Sequence, residues 1–133
     1  MHITLESDYA VRIVDCLSTQ EARLGAGSIA EQTGVTPRFT LKILHKLVSS
    51  GLVRSYKGAK GGYELARAPG EITLREVIEI FEGPYTFSRC LDPSHVCKCV
   101  IPVCRSGSCR FQRAYDEISE MVRAKLNETT FAG

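Results

Sequence analysis

Apolar residues near the start of the chain recur at three- and four-residue spacing: Leu5, Tyr9, Val11, Ile13, Val14 and Leu17. This pattern predicts a helix with one wide buried face from about Leu5 to Ser18. Cys16 lies on its apolar side and reads as a small buried hydrophobe. Ser28-Ile29-Ala30-Glu31 has the Ser-x-x-Glu order of a capping box, which opens a short second helix that Gly34 stops. Thr36-Pro37 then places a cap before a proline at the first helical position. The third helix runs through Leu41, Ile43, Leu44, Leu47 and Val48, read as mostly core-facing, to Ser50 and its stop, Gly51. Two helices joined by so short a glycine-containing turn form a helix-turn-helix.

The period then changes. Leu52–Tyr56 and Gly62–Ala66 are short strand-like runs, and Lys57-Gly58-Ala59-Lys60-Gly61 between them makes a hairpin with a basic, glycine-rich tip. A helix-turn-helix followed at once by a basic hairpin is the order of parts in a winged helix. Thr73-Leu74-Arg75-Glu76 is a second capping box, opening a fourth helix through Val77, Ile78, Ile80 and Phe81 to Gly83-Pro84. After a turn-rich stretch, Phe111, Ala114, Tyr115, Ile118, Met121, Val122 and Leu126 mark a last helix of several turns. Its apolar stripe calls for a partner, and a second copy of the chain is the expected one. The fold class is thus mainly α with a small β-hairpin wing. The expected divisions are a DNA-binding domain over residues 1–83, a cysteine-rich loop over 84–108, and a dimerisation helix with its tail over 109–133.

Length and charge narrow the function. At 133 residues the chain can bury a core without disulfide staples. Glu6, Asp8, Arg12 and Asp15 interrupt its first apolar stretch, and no run reaches the roughly 18 apolar residues of a spanning helix, so a soluble cytoplasmic protein with no membrane role is expected. The net charge of +2 hides a strong asymmetry. Residues 36–67 hold Arg38, Lys42, Lys46, Arg54, Lys57, Lys60 and Arg67 against Glu64 alone. Such a local positive patch is the footprint of a phosphate-binding face. Thr36, Arg38, Phe39 and Lys42 at the start of the third helix are the candidates to reach DNA. Lys57 and Lys60 at the hairpin tip join them, with Ser28 at the start of the second helix. No nucleophile-base pair, nucleotide fingerprint or phosphate loop is visible, so an enzyme is not expected; a thiol-dependent redox enzyme would leave the basic segment unexplained.

Five of the six cysteines, Cys90, Cys97, Cys99, Cys104 and Cys109, fall within twenty residues rich in Pro, Gly and Ser. In a reducing compartment, clustered thiols point to a metal, an iron-sulfur cluster or a redox switch. No pair has the C-x2-C spacing of structural zinc knuckles, which weakens zinc without removing it; His95 could complete a mixed site. A cluster, a zinc site and a thiol-disulfide switch all remain open on spacing. Cys109, at the start of the last helix, gains from the helix dipole as a thiolate. Asp8 and Arg12, four residues apart, read as a surface ion pair.

Several segments together resemble the family of winged-helix iron-sulfur regulators that includes IscR and NsrR. They are Ser7-Asp8-Tyr9-Ala10-Val11-Arg12, Gly51-Leu52-Val53 through Gly58-Ala59-Lys60-Gly61-Gly62-Tyr63-Glu64-Leu65-Ala66, and Ile72-Thr73-Leu74-Arg75-Glu76-Val77-Ile78-Glu79 with Glu82-Gly83-Pro84. The cysteine stretch before the last helix completes the set. The resemblance implies a homodimer on a palindromic promoter site in double-stranded DNA, with a cluster in each subunit, of the 4Fe-4S type ahead of 2Fe-2S. It further implies three loop cysteines and, in the NsrR-like branch, an aspartate from the partner's first helix, which matches Asp8. With five cysteines in place of three, Cys90 and Cys109 are the expected outer ligands. Cys97 is the preferred middle one, with Cys99 and Cys104 as alternatives.

Overall fold

The computed structural model describes residues 2–92 and 109–133, and within them the helices and strands follow the predicted order. They are α1 (Leu5–Ser18), α2 (Ala26–Thr33), α3 (Pro37–Ser49), β1 (Val53–Tyr56), β2 (Gly62–Leu65), α4 (Leu74–Glu82) and α5 (Arg110–Glu128). Short 3-10 turns occupy Pro69–Glu71 and Arg89–Leu91. The chain divides into two compact units, one formed by the residues up to Gly83 together with Asn127–Gly133, the other by Pro84–Leu126.

In the first unit, Ala10, Ile13, Val14 and Leu17 of α1 meet Ile29 of α2, Ile43, Leu44 and Leu47 of α3, and Leu52, Val53, Ile72 and Val77. Thr4 caps α1, its hydroxyl accepting from the Ser7 amide at 3.2 Å. The buried face of α1 is narrower than its apolar residues suggest. Leu5 is exposed, and Ser7 is buried in its stead with its hydroxyl accepting from Thr4 Oγ1 at 3.0 Å. Cys16 is only half-buried, and its thiol points to the Gln32 side-chain oxygen at 3.6 Å, so it is not the core hydrophobe its apolar neighbours imply.

The start of α2 also departs from the capping-box pattern. Leu24 pairs with Tyr63 of β2, accepting from the Tyr63 amide at 2.7 Å and donating to its carbonyl at 3.1 Å. This long-range bridge pins the chain, so helical turns begin directly after it, with Gly25 as the cap and its carbonyl accepting from Ile29 at 3.1 Å. Ser28 therefore lies inside the first turn, exposed, and caps nothing. Gly34 closes the helix at φ +73°, and Thr36 and Pro37 open α3 as predicted, Thr36 Oγ1 accepting from the Phe39 amide at 3.4 Å.

The hairpin pairs Val53 with Leu65, Arg54 with Glu64, Ser55 with Tyr63 and Tyr56 with Gly62. At Thr73 the capping box forms by half: the hydroxyl accepts from the Glu76 amide at 3.1 Å, while the Glu76 carboxylate pairs with Arg67. The end of the chain completes the unit. Leu74 donates to the Thr129 carbonyl at 2.8 Å, the Phe131 amide bonds the Ile72 carbonyl at 3.3 Å, and the Phe131 ring enters the core.

In the second unit, the segment after Gly83 is fastened along α5 in antiparallel sense. Arg123 donates to the Tyr85 carbonyl at 2.9 Å, the Phe87 amide donates to Ser119 Oγ at 2.9 Å, and Gln112 donates to the Cys90 carbonyl at 3.0 Å. Phe87 packs on Tyr115 with ring centroids 5.4 Å apart.

Two glycines separate conformational need from mere presence. Gly62 sits at φ +135°, and a Cβ there would lie 2.8 Å from the Leu24 backbone. Gly27, inside α2, faces open space. Urea unfolding should therefore show Gly62→Ala losing about 1–3 kcal/mol of stability and Gly27→Ala gaining about 0.5–1 kcal/mol.

Candidate nucleic-acid interface and cysteine site

Burial of Thr40, Ile43, Leu44 and Leu47 decides which side of α3 meets solvent. The outward side carries Arg38, Leu41, Lys42, His45 and Lys46. Leu41 is 52% exposed and so leaves the core to which its spacing assigned it; the buried place on that turn belongs to Thr40, whose hydroxyl reaches the Val35 carbonyl at 3.5 Å. Phe39 is partly held by α1: its ring meets Tyr9 edge-on at 5.7 Å. Lys42 Nζ lies 2.6 Å from Glu6 Oε1 and 5.9 Å from the centre of the Phe39 ring. The hydrogen bond from Lys42, then its charge, hold the Glu6 carboxyl below the usual carboxylate range against a small opposing desolvation, with Lys46 adding to the effect. Lys42 thus meets any phosphate with part of its field already answered.

The hairpin adds Arg54, Lys57 and Lys60, all exposed. The tip turns through Gly58 at φ +92°, and the Gly61 amide donates back to the Gly58 carbonyl at 2.9 Å. Sequence patterning missed Arg23. Its guanidinium lies 3.3 Å from the Tyr56 ring centre, and its Nε is 3.6 Å from Glu64, so one side chain grips both strands. Nothing near Arg23 in sequence signals this, because its partners lie more than thirty residues away. Ser28 stands exposed on the first turn of α2.

Of the predicted sulfur ligands, Cys90 and Cys109 are described; Cys97, Cys99, Cys104 and His95 lie outside the described residues. Cys90 sits half-buried in the 3-10 turn, whose amide Ser88 Oγ caps at 3.4 Å, and the same hydroxyl is 3.2 Å from Cys90 Sγ. Through its carbonyl the turn is held by Gln112, three residues on from Cys109. Both ends of the cysteine stretch thus start from the first turns of α5. Asp8 pairs with Arg12 at 2.9 Å on the half-exposed side of α1, with the Arg12 guanidinium 5.7 Å from the Tyr9 ring centre. Among the described residues no three His, Cys, Asp or Glu side chains gather as a metal site. The donors in place are of the right kind for iron: half-buried thiols, one with a hydroxyl hydrogen-bond partner, and an accessible carboxylate.

The sequence matches the Rrf2 family, described as an iron-dependent transcriptional regulator, over residues 3–133. It is 26% identical to the HTH-type transcriptional regulator NsrR of Bacillus licheniformis over 106 residues, 78% of this chain and 74% of that protein. In structure it is similar to CymR, the global cysteine regulator of B. subtilis, with a TM-score of 0.77, 26% identity, and coverage of 98% of this chain and 93% of that one. It is also similar to T. potens IscR, with a TM-score of 0.69, 26% identity, and coverage of 99% and 84%. Against some curated relatives, 33–36% identical, the chain spans only 53–63% of their length.

Burial first, then the charge of Asp15, pushes the Cys16 thiol up from its ordinary value. Thiolate is the nucleophile, so alkylation of Cys16 at pH 8, followed by peptide mass spectrometry, should lag behind an unstructured thiol and catch up only as pH rises past the elevated value.

Proposed function

The chain belongs to the Rrf2 family of transcriptional regulators, and on that premise we propose that it binds promoter DNA with an affinity set by an iron-sulfur cluster in its cysteine stretch. The observation that carries the DNA-binding reading is the outward cationic face of α3 beside the basic hairpin tip, in one unit that a single core holds together. In this reading α3 enters the major groove. Thr36 and Arg38 face the bases at its start, Phe39 and Lys42 flank them, Ser28 approaches a phosphate from α2, and Lys57 and Lys60 grip the backbone or minor groove. Arg23 holds the hairpin in register for that contact.

Phe111, Ala114, Ile118 and Met121 form an exposed stripe on α5 at alternating three- and four-residue spacing, with Phe111 at 54% and Met121 at 72% exposure. That is the seam of a helix that pairs with another. A second copy covers it, and the resulting two-fold axis matches a palindromic site in double-stranded DNA. The protein works in the cytoplasm, and no helix among the described residues is long and apolar enough to cross a membrane.

Cys90 and Cys109 hold the cluster with Cys97 as the third thiolate, Cys99 and Cys104 being the alternatives, and Asp8 of a second copy is the fourth ligand. A 4Fe-4S cluster, or less readily a 2Fe-2S one, supplies an iron that nitric oxide, redox change or iron supply can reach. Asp8 is suited to this place because its present partner is a half-exposed Arg12, an ion pair worth about 0.3–0.5 kcal/mol that is readily surrendered. The likeness to CymR, described as a cysteine regulator, favours a second reading in which the same thiols form a disulfide switch; a zinc site is the remaining alternative. Anaerobically purified protein that is colourless, with stoichiometric zinc or a reversible loss of titratable thiols, would establish that reading instead.

Two measurements test the proposal. With duplex DNA in anisotropy titrations, Arg38→Ala should relax base preference at one position, at a cost of about 1–3 kcal/mol, while Lys60→Ala should weaken all sequences alike and lower the salt slope by about 1. Unchanged binding by both variants overturns the assignment. In Mössbauer and resonance Raman spectra of anaerobic protein, Asp8→Ala should alter the signature of one iron site; an unaltered spectrum removes Asp8 from the ligand set.

A further inference from the structure

Leu41 is a large apolar side chain on the one helix face that the preceding reading turns toward bases, and its own fold leaves 52% of it exposed. It follows Arg38 by three residues and precedes His45 by four, so the three share a stripe running along α3. With Val48 and Tyr63 it forms the apolar part of an open hollow of about 480 Å³, whose remaining lining is Lys42, His45 and Ser55. An apolar patch bordered by cationic and hydroxyl groups suits a surface that is itself anionic at its edges and apolar at one point. In the major groove that point is the C5 methyl of thymine, the apolar group a base pair presents there. Phe39, the other exposed apolar residue near the start of α3, already spends its ring on Tyr9 and lies beneath Lys42. Leu41 has no such engagement.

We propose that Leu41 reads a thymine methyl and thereby fixes one base pair in each half of the operator. This rests on the DNA-binding reading and adds a specificity residue to it. Arg38, one turn earlier, places a hydrogen-bonding base beside the thymine, so the half-site core pairs a guanine contact with a methyl contact one or two steps away.

The test begins with the anaerobically purified full chain selecting duplexes from a randomised library. Each dT of the enriched site is then replaced by dU, which deletes the methyl and leaves every hydrogen-bonding group in place. Wild type should lose about fourfold in affinity per methyl at one position of each half-site. Leu41→Ala should bind the dT and dU duplexes equally at that position while keeping any dU penalty elsewhere, and Leu41→Met, which restores apolar bulk, should recover the discrimination. Because the side chain is exposed, neither change should move the melting temperature appreciably. A wild-type protein indifferent to dU at every position overturns the proposal. So does a Leu41→Ala protein whose dT-to-dU ratio matches wild type, whether or not its overall affinity falls. Failure of wild type to enrich any duplex is a different outcome: it overturns the DNA-binding reading itself.

Discussion

Burial of one side of α3 is the constraint on which the rest of the first unit depends. Ile43, Leu44 and Leu47 insert between α1 and the base of the hairpin, and by doing so they choose, out of a full helical turn, which residues face outward. The driving force is non-directional and scales with apolar area removed from water, about 1.5–3 kcal/mol for each such side chain. Its consequence is directional, because a rigid helix buried on one side presents the other. Arg38, Lys42 and His45 owe their common exposure to the burial of residues on the opposite side of the same helix.

Charge is then managed rather than simply accumulated. The basic segment meets acids at three points, Glu6 against Lys42, Glu64 beside Arg23 at the hairpin, and Glu76 against Arg67. Each pair is solvent-exposed and contributes little stability, because water and salt screen it. In the proposed DNA-binding role, each acid also orients a long cation and reduces the field it offers to phosphate. Arg38, Lys57 and Lys60 carry no such ion pair among the described residues. The hairpin tip and the start of α3 are where unanswered positive charge concentrates.

The second unit solves a separate problem, how to present thiols from a turn-rich stretch at a defined place. Three hydrogen bonds, from Arg123, to Ser119 and from Gln112, lay the segment after Gly83 along α5 and bring the Cys90 turn to the helix start. Ser119 is fully buried and satisfied on both sides, accepting from Phe87 and donating to the Tyr115 carbonyl at 2.8 Å, so the clasp leaves no stranded polar group. Phe111, Ile118 and Met121 of α5 remain exposed, on the side that the proposed second copy would cover.

Much of this was legible in the sequence. The bounds of α1, the Thr36-Pro37 start of α3, the glycine stops and the two strands all follow from signals within four residues of where they act, so no distant partner is needed to read them. The Thr36, Arg38, Lys57 and Lys60 candidates followed from the same local order, and the structure places all four at the surface. Where distant contacts intervene, the pattern misleads. The start of α2 is set by the bridge from Leu24 to Tyr63, not by Ser28; Leu41 and Leu5 face solvent because Thr40 and Ser7 fit the space inside; Cys16 turns to Gln32; and Arg23 finds Tyr56. Phe131 returns to the core from the far end of the chain. Sequence alone determined which elements exist and what chemistry they carry, because capping, turns and charge are short-range. Only the tertiary structure decided which face each element shows and what holds it there, because burial is settled among residues that the chain keeps far apart.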